Sequence, residues 1–188
     1  MKNIRLIFKG VSEIIGDEDL CLLILTDMLE TRQIGIVCDQ YMQQQFNMRM
    51  GQRKPSLPYL PEVLCSMVNR RQDESYEIHI LDIANGDYVC EIVDRFSNFR
   101  KRMRAGDAIL LSLISDIPLF IDTQLMMRQS VPYQSNSMRL SIPVNAISDS
   151  MLQHAMDKAV EGENYELASH LRDELNRRKE NRKEWGDE

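Results

Sequence analysis

The chain has 188 residues, 43% of them hydrophobic, and a formal net charge of −6. That length allows one ordinary domain plus an appendage, and no apolar run approaches the ~18–20 residues that span a bilayer, so a membrane protein is not expected. The acidic balance excludes a nucleic-acid binder that works through its overall field: residues 1–148 carry 18 Asp and Glu against 16 Lys and Arg, and residues 149–188 carry 11 against 7.

Met1 to Phe8 alternates apolar and polar residues, the period of a half-buried strand, and lacks the basic start and cleavage site of a secretory leader. The expected location is therefore the cytoplasm. Gly16 to Asp19 reads as a turn, and Leu20 to Leu25 as a strand buried on both faces. Arg32 to Cys38 reads as the returning strand, after which Asp39 caps a helix running through Phe46 and Met50. Gly51 to Tyr59 is a loop, and Pro61 opens the next helix, where its missing N–H costs nothing.

Tyr76 to Ala84 and Asp87 to Phe96 form the clearest hairpin, because Asn85-Gly86 supplies the left-handed residues of a tight turn. Phe99 to Arg104 reads as a strand and Gly106 to Ser115 as a helix stopped before Pro118. Pro118 to Ile121 reads as a short edge-like strand, and Thr123 to Arg128 as a helical turn. Ser130 to Asn145, rich in Ser, Asn and Pro, reads as a linker with a boundary near Asn145. The intermixing of strands and helices predicts an α+β domain over residues 1–145, its sheet mixed or antiparallel.

A helical hairpin is expected over 149–182. Ser150 with Gln153 fits a capping box, Gly162 stops the first helix, and Asn164 caps the second. Leu152, Met156, Ala159 and Val160 mark one apolar face, and Tyr165, Ala168, Leu171 and Leu175 mark another. The tail from Arg177 is charged and expected to fray. Two such short helices need further burial to be stable, which points to a protein-contact module or to packing on the hairpin's own domain.

The tract Tyr165-Glu-x-Ala-x-x-Leu-Arg-Asp closely resembles the UVR motif of bacterial excision-repair subunits and other bacterial proteins. That resemblance implies an antiparallel hairpin that binds protein. Tyr165, Leu171 and Leu175 share a stripe too large to leave in water and are the expected contact residues, with Arg172 and Asp173 beside it setting partner choice; homo-oligomerisation is an expected outcome. Upstream, Arg32-Gln-Ile-Gly-Ile-Val-Cys38 leading into a helix, the proline-opened helix at Pro61, and Arg104-Ala-Gly-Asp107-Ala108-Ile109 followed by Ile117-Pro118 resemble the bifunctional nuclease family over residues 20–133. Members of that family also occur fused to a UVR segment. The departures are specific: Cys38 stands where the family has Gly, Tyr41-Met42 where it has Glu-Ala, and Leu60-Pro61-Glu62 where it has Thr-His-Asp. Weak or lost phosphodiester hydrolysis is therefore expected. The alternatives are an active divalent-metal-dependent DNase/RNase and a non-catalytic oligomeric scaffold or regulator.

A nuclease of this kind needs clustered carboxylates for Mg²⁺ or Mn²⁺, or a general acid and base. Asp107 is the leading candidate, with Glu62 and Arg104 as catalytic companions and Asp39 as a further carboxylate; each also fits a helix-start role. Arg100, Lys101 and Arg102 form a dense basic run that suits a phosphate backbone or a solvated strand face. The scattered Cys21, Cys38, Cys65 and Cys90 read as small buried thiols, and His79, His154 and His170 lack metal-ligand spacing. His79 reads as a surface histidine.

Overall fold

The computed structural model describes residues 3–14, 17–51, 57–68, 75–133 and 146–184. The chain separates into two units, Met1–Asp82 with Tyr88–Ser141, and Ile83–Asp87 with Ile142–Glu188. No described helix is long and apolar enough to cross a membrane.

The fold is α+β. Strands β1 (Asn3–Ile14), β2 (Asp17–Asp27) and β3 (Arg32–Asp39) form an antiparallel meander, followed by helices α1 (Gln40–Met50) and α2 (Leu60–Val68). Strands β4 (Tyr76–Ala84), β5 (Asp87–Asp94) and β6 (Arg100–Met103) come next, then α3 (Ala105–Ser115), β7 (Leu119–Asp122), α4 (Thr123–Gln129) and the two-residue β8 (Val131–Pro132). The strands make one mixed sheet in the order β6-β5-β4-β7-β1-β2-β3-β8.

Three strand readings change. Asp17 pairs with Ile14, so β2 takes in residues that read as a turn. Residues 134–145, most of the expected linker, lie outside the described residues, while Val131 at its start pairs with Gln33 of β3. Finally, Pro118 to Ile121 is no edge. β7 lies in the interior of the sheet, parallel to β4 and antiparallel to β1, with Leu119 and Ile121 buried. Pro118 stands just before the strand, so it removes no ladder donor, and its carbonyl accepts from Ile78 N at 3.0 Å.

The turns follow their residues. Asp27 accepts from the N–H groups of Thr31 (2.7 Å) and Arg32 (3.0 Å), closing the β2–β3 turn. Asn85 and Gly86 both have positive φ, 54° and 89°, as a tight hairpin turn demands. Asp39 caps α1 by accepting from Met42 N at 2.8 Å, and Asp122 caps α4 through Gln124 and Leu125. The core of this unit is built from Leu23, Leu25, Ile34, Ile36, Phe46, Ile78, Ile80, Ile109, Ile121, Leu125 and Met126, all essentially without solvent contact.

In the second unit, α5 (Asp149–Glu161) and α6 (Tyr165–Glu184) form the expected hairpin. The cap of α5 is Ser148, which accepts from Met151 N at 3.4 Å; Ser150 instead hydrogen-bonds to Ser148 at 2.9 Å. Glu163 (φ 58°), not Gly162, takes the left-handed position of the turn, and Asn164 caps α6 through Leu167 N at 3.2 Å. The helix does not fray at Arg177. Arg178 is buried and reaches Glu174 Oε1 (2.9 Å), Asp149 Oδ1 (2.9 Å) and the Ile147 carbonyl (2.6 Å), which holds the last turns in place. Gly86 belongs to this unit as well: a Cβ there would meet the Ile147 carbonyl oxygen at 2.4 Å and Arg178 at 2.7 Å, so the approach requires glycine.

Candidate functional site

Two helix N-termini meet beside β3. Gly106, in the first turn of α3, lies so close to the start of α1 that a Cβ would contact Cys38 Sγ at 3.0 Å and Met42 Cγ at 3.1 Å. The missing side chain is what lets the two helices approach. Arg104 occupies the N-cap position of α3 without capping it, and its guanidinium pairs with Asp107 one turn on, Nε to Oδ2 at 2.8 Å. The Arg104 side chain is 72% exposed and that of Asp107 39%. Its hydrogen bond to Asp107 and that carboxylate's charge, with Asp39 adding to them, raise the Arg104 pKa above its ordinary value. Arg104, Asp107 and Asp39 therefore share one electrostatic neighbourhood at the junction of α1 and α3.

Glu62 goes elsewhere. It is held by Arg49 of α1 in a two-point pair, Nε to Oε1 at 2.6 Å and a terminal nitrogen to Oε2 at 3.1 Å. The Arg49 side chain is itself largely covered, donates to the carbonyl and side chain of Gln45, and lies over the Tyr59 ring at 5.6 Å. Partial burial works against ionisation of Glu62, but the Arg49 hydrogen bond and charge, with backbone donors, outweigh it and hold the carboxyl below its usual range. Sequence reasoning missed Arg49; the sequence places it in the last turn of one helix and Glu62 in the first turn of the next, but that the two meet is set by how the helices pack.

Among the described residues no three His, Cys, Asp or Glu side chains come together in a way that could hold a metal ion. The two leading carboxylates are each occupied by a guanidinium that engages both oxygens, though more loosely at Asp107, where the second contact is 3.4 Å. These residues do not fit a protein-held divalent cation, which takes several oxygen ligands at once.

The cysteines are free thiols. Cys21 and Cys38 stand opposite each other on β2 and β3. Burial, with Asp39 nearby, pushes Cys21 up to about 11, and burial raises Cys38 as well, so both stay protonated and poorly nucleophilic. His79 is largely covered rather than freely exposed. Its Nε2 lies 3.1 Å from Glu77, its Nδ1 3.2 Å from Asn3 Nδ2, and its ring stacks on Phe120.

The basic run lies on β6, the terminal strand of the sheet. Arg100 pairs with Glu91 at 3.0 Å, and Arg100, Lys101 and Arg102 are all exposed. In the hairpin, Leu171 and Leu175 are buried in a cluster with Leu152, against Ile147, Ala155 and Met156. Tyr165 is 67% exposed, and Val160 and Leu167 are also open, so the apolar surface the hairpin presents lies around its turn. Arg172 and Asp173 are exposed and 3.6 Å apart.

An α+β domain with a mixed sheet and a junction of helix starts, followed by a separate helical hairpin, defines the class. The bifunctional nuclease domain profile matches residues 23–134, more than half of the chain, and the UvrB/uvrC motif matches residues 152–180. The chain belongs to the bifunctional nuclease domain family and carries a C-terminal UVR motif. No curated protein matches it.

Proposed function

We propose that this is a bifunctional-nuclease-type domain with weak or lost phosphodiester hydrolysis, joined to a UVR hairpin that binds a protein partner. One observation carries the first half: among the described residues no three His, Cys, Asp or Glu side chains gather where a metal ion could sit, and Asp107 and Glu62 are each engaged by a guanidinium, of Arg104 and Arg49. The altered helix starts at Tyr41-Met42 and Leu60-Pro61-Glu62 support the same reading. The exposed Arg104–Asp107 pair is the part of the junction a phosphate could engage. Lys101 and Arg102, with Arg100, offer a backbone-binding edge.

The test is cleavage of single- and double-stranded DNA and of RNA by purified full-length protein with Mg²⁺ or Mn²⁺. Little or no turnover is expected. Robust turnover abolished by Asp107→Asn would return the protein to the active nucleases. If the β6 edge contacts phosphates, Lys101→Ala and Arg102→Ala should each flatten the salt dependence of nucleic-acid binding by about one phosphate contact; an unchanged slope leaves the strand as ordinary surface.

The UVR motif is a protein-interaction element, and the open apolar residues around the turn of this one favour contact through that end. Tyr165→Asp is expected to abolish partner capture while leaving the hairpin folded. Leu171→Asp is expected to lose capture by unfolding the hairpin, because it places a carboxylate in the Leu152–Leu175 cluster. Capture that survives Tyr165→Asp would move the contact elsewhere. Residues 1–145 and 149–182 are taken as the two working parts, in the cytoplasm.

A further inference from the structure

Helix α2 faces the wrong way for a core helix. Leu60, Val63, Leu64 and Met67 repeat at three- and four-residue steps and so form one stripe, yet all four are exposed, Leu60 to 70%, Leu64 to 52% and Met67 to 65%. Among the described side chains of the helix the buried one is Cys65, on the opposite side, beside Ser115 of α3. Leu57 and Tyr59, just before the helix, are exposed too. Together these six side chains present on the order of 600 Å² of mostly apolar surface, the upper limit of what a monomer's largest patch reaches.

We propose that this face of α2 is a self-association surface, pairing with the same face of a second copy across a two-fold axis. Charge favours a second copy. Between Leu57 and Met67 the single charged residue is Glu62, and it is neutralised by Arg49 of its own chain. A two-fold contact sets each residue near its own equivalent, so a charged face would repel itself; the described residues of this face carry no such penalty. Area agrees, since two copies would bury about 1,200 Å² in all, the lower bound of a stable specific interface. Leu64 lies at the middle of the stripe and falls nearest the axis, with Leu60 and Met67 meeting each other's ends. The inference is independent of both the nuclease reading and the hairpin contact.

Sedimentation of the full chain over a range of concentrations tests it. Wild type is expected to be dimeric, Leu64→Asp and Leu60→Asp monomeric, and Tyr165→Asp dimeric, with circular dichroism unchanged because the substituted side chains are exposed. Independently, Leu64→Cys under a mild disulfide-forming oxidant should give a covalent dimer on non-reducing gels, while Leu29→Cys, on the exposed β2–β3 turn, should not. A wild-type monomer at every concentration would overturn the proposal. So would a dimer that survives Leu64→Asp, or one lost in Tyr165→Asp alone, which assigns pairing to the hairpin. A monomeric chain that captures a different protein through α2 would give the face to that partner and overturn self-pairing.

Discussion

Arg178 and Arg104 each sit beside carboxylates, and the two regions treat them in opposite ways. Arg178 is buried, shares its donors among Glu174, Asp149 and the Ile147 carbonyl, and fixes the second half of a helix. Arg104 is largely in water, bound to one carboxylate a turn away on its own helix. The first arrangement commits the guanidinium to the fold. The second costs the fold little to lose and leaves a charged pair within reach of a solute. Arg49 and Glu62 resemble the hairpin arrangement, although they lie in the domain that would carry the chemistry.

The contrast can be broken most sharply at Arg178. Arg178→Ala removes a buried guanidinium from Glu174, Asp149 and the Ile147 carbonyl, and the hairpin is expected to lose about 3 kcal/mol, read as loss of amide-exchange protection in α6 with the sheet amides unchanged. Equal loss in both units would mean that the arginine does more than lock the hairpin.

Next in size is Glu62. Glu62→Gln is expected to cost about 1–3 kcal/mol in thermal unfolding, because Arg49 stays buried with a weaker acceptor. The same carboxylate gives a pH signature. Both Glu62 and Glu174 titrate below the ordinary glutamate range in the folded chain: burial alone would raise them, but Arg49, and Arg178 with Arg177, more than offset it. Their stabilisation is complete above the unfolded value near ~4.3 and is lost as pH falls through the lower folded values. Glu62→Gln and Glu174→Gln should therefore flatten the acid limb of stability against pH. A limb as steep as that of wild type would show that these pairs carry none of it.

The smallest effect is expected at Arg104. Arg104→Ala and Asp107→Asn should each change thermal stability by no more than about 1 kcal/mol, since their pair is exposed. A larger loss in either variant would make the junction structural and remove the ground for treating it as chemically available.

Much of the fold was legible because local chemistry wrote it. Asp39 and Asn164 cap where a side-chain oxygen was expected to cap, and Asn85-Gly86 turns where a left-handed pair was expected to turn. Two local details fell a residue or two away, Ser148 capping α5 in place of Ser150 and Glu163 turning its end in place of Gly162; the larger misreadings were long-range. Nothing local distinguishes an edge strand from β7, whose interior place depends on partners about 40 and 115 residues away. The continuation of α6 past Arg177 depends on Asp149 and Ile147, far back in the chain. At the candidate site, Arg104 and Asp107 were legible as neighbours three residues apart. That Glu62 would be claimed by Arg49, and that Leu171 and Leu175 would face Leu152, required the tertiary structure.

The four residues of β7 join two halves of the sheet, β6-β5-β4 on one side and β1-β2-β3-β8 on the other. A ribosome delivers β1 first and β7 more than a hundred residues later. Through that interval the meander offers the bare backbone edge of β1, and the β4 hairpin when it appears has an open edge of its own. Neither can be closed until Leu119 to Asp122 has emerged behind the α3 crossover. Such late, sequence-distant closure makes for slow folding and a long exposure to wrong partners. The strand that joins the two halves is also one of the shortest, so the closing of those two edges rests on Leu119 and Ile121.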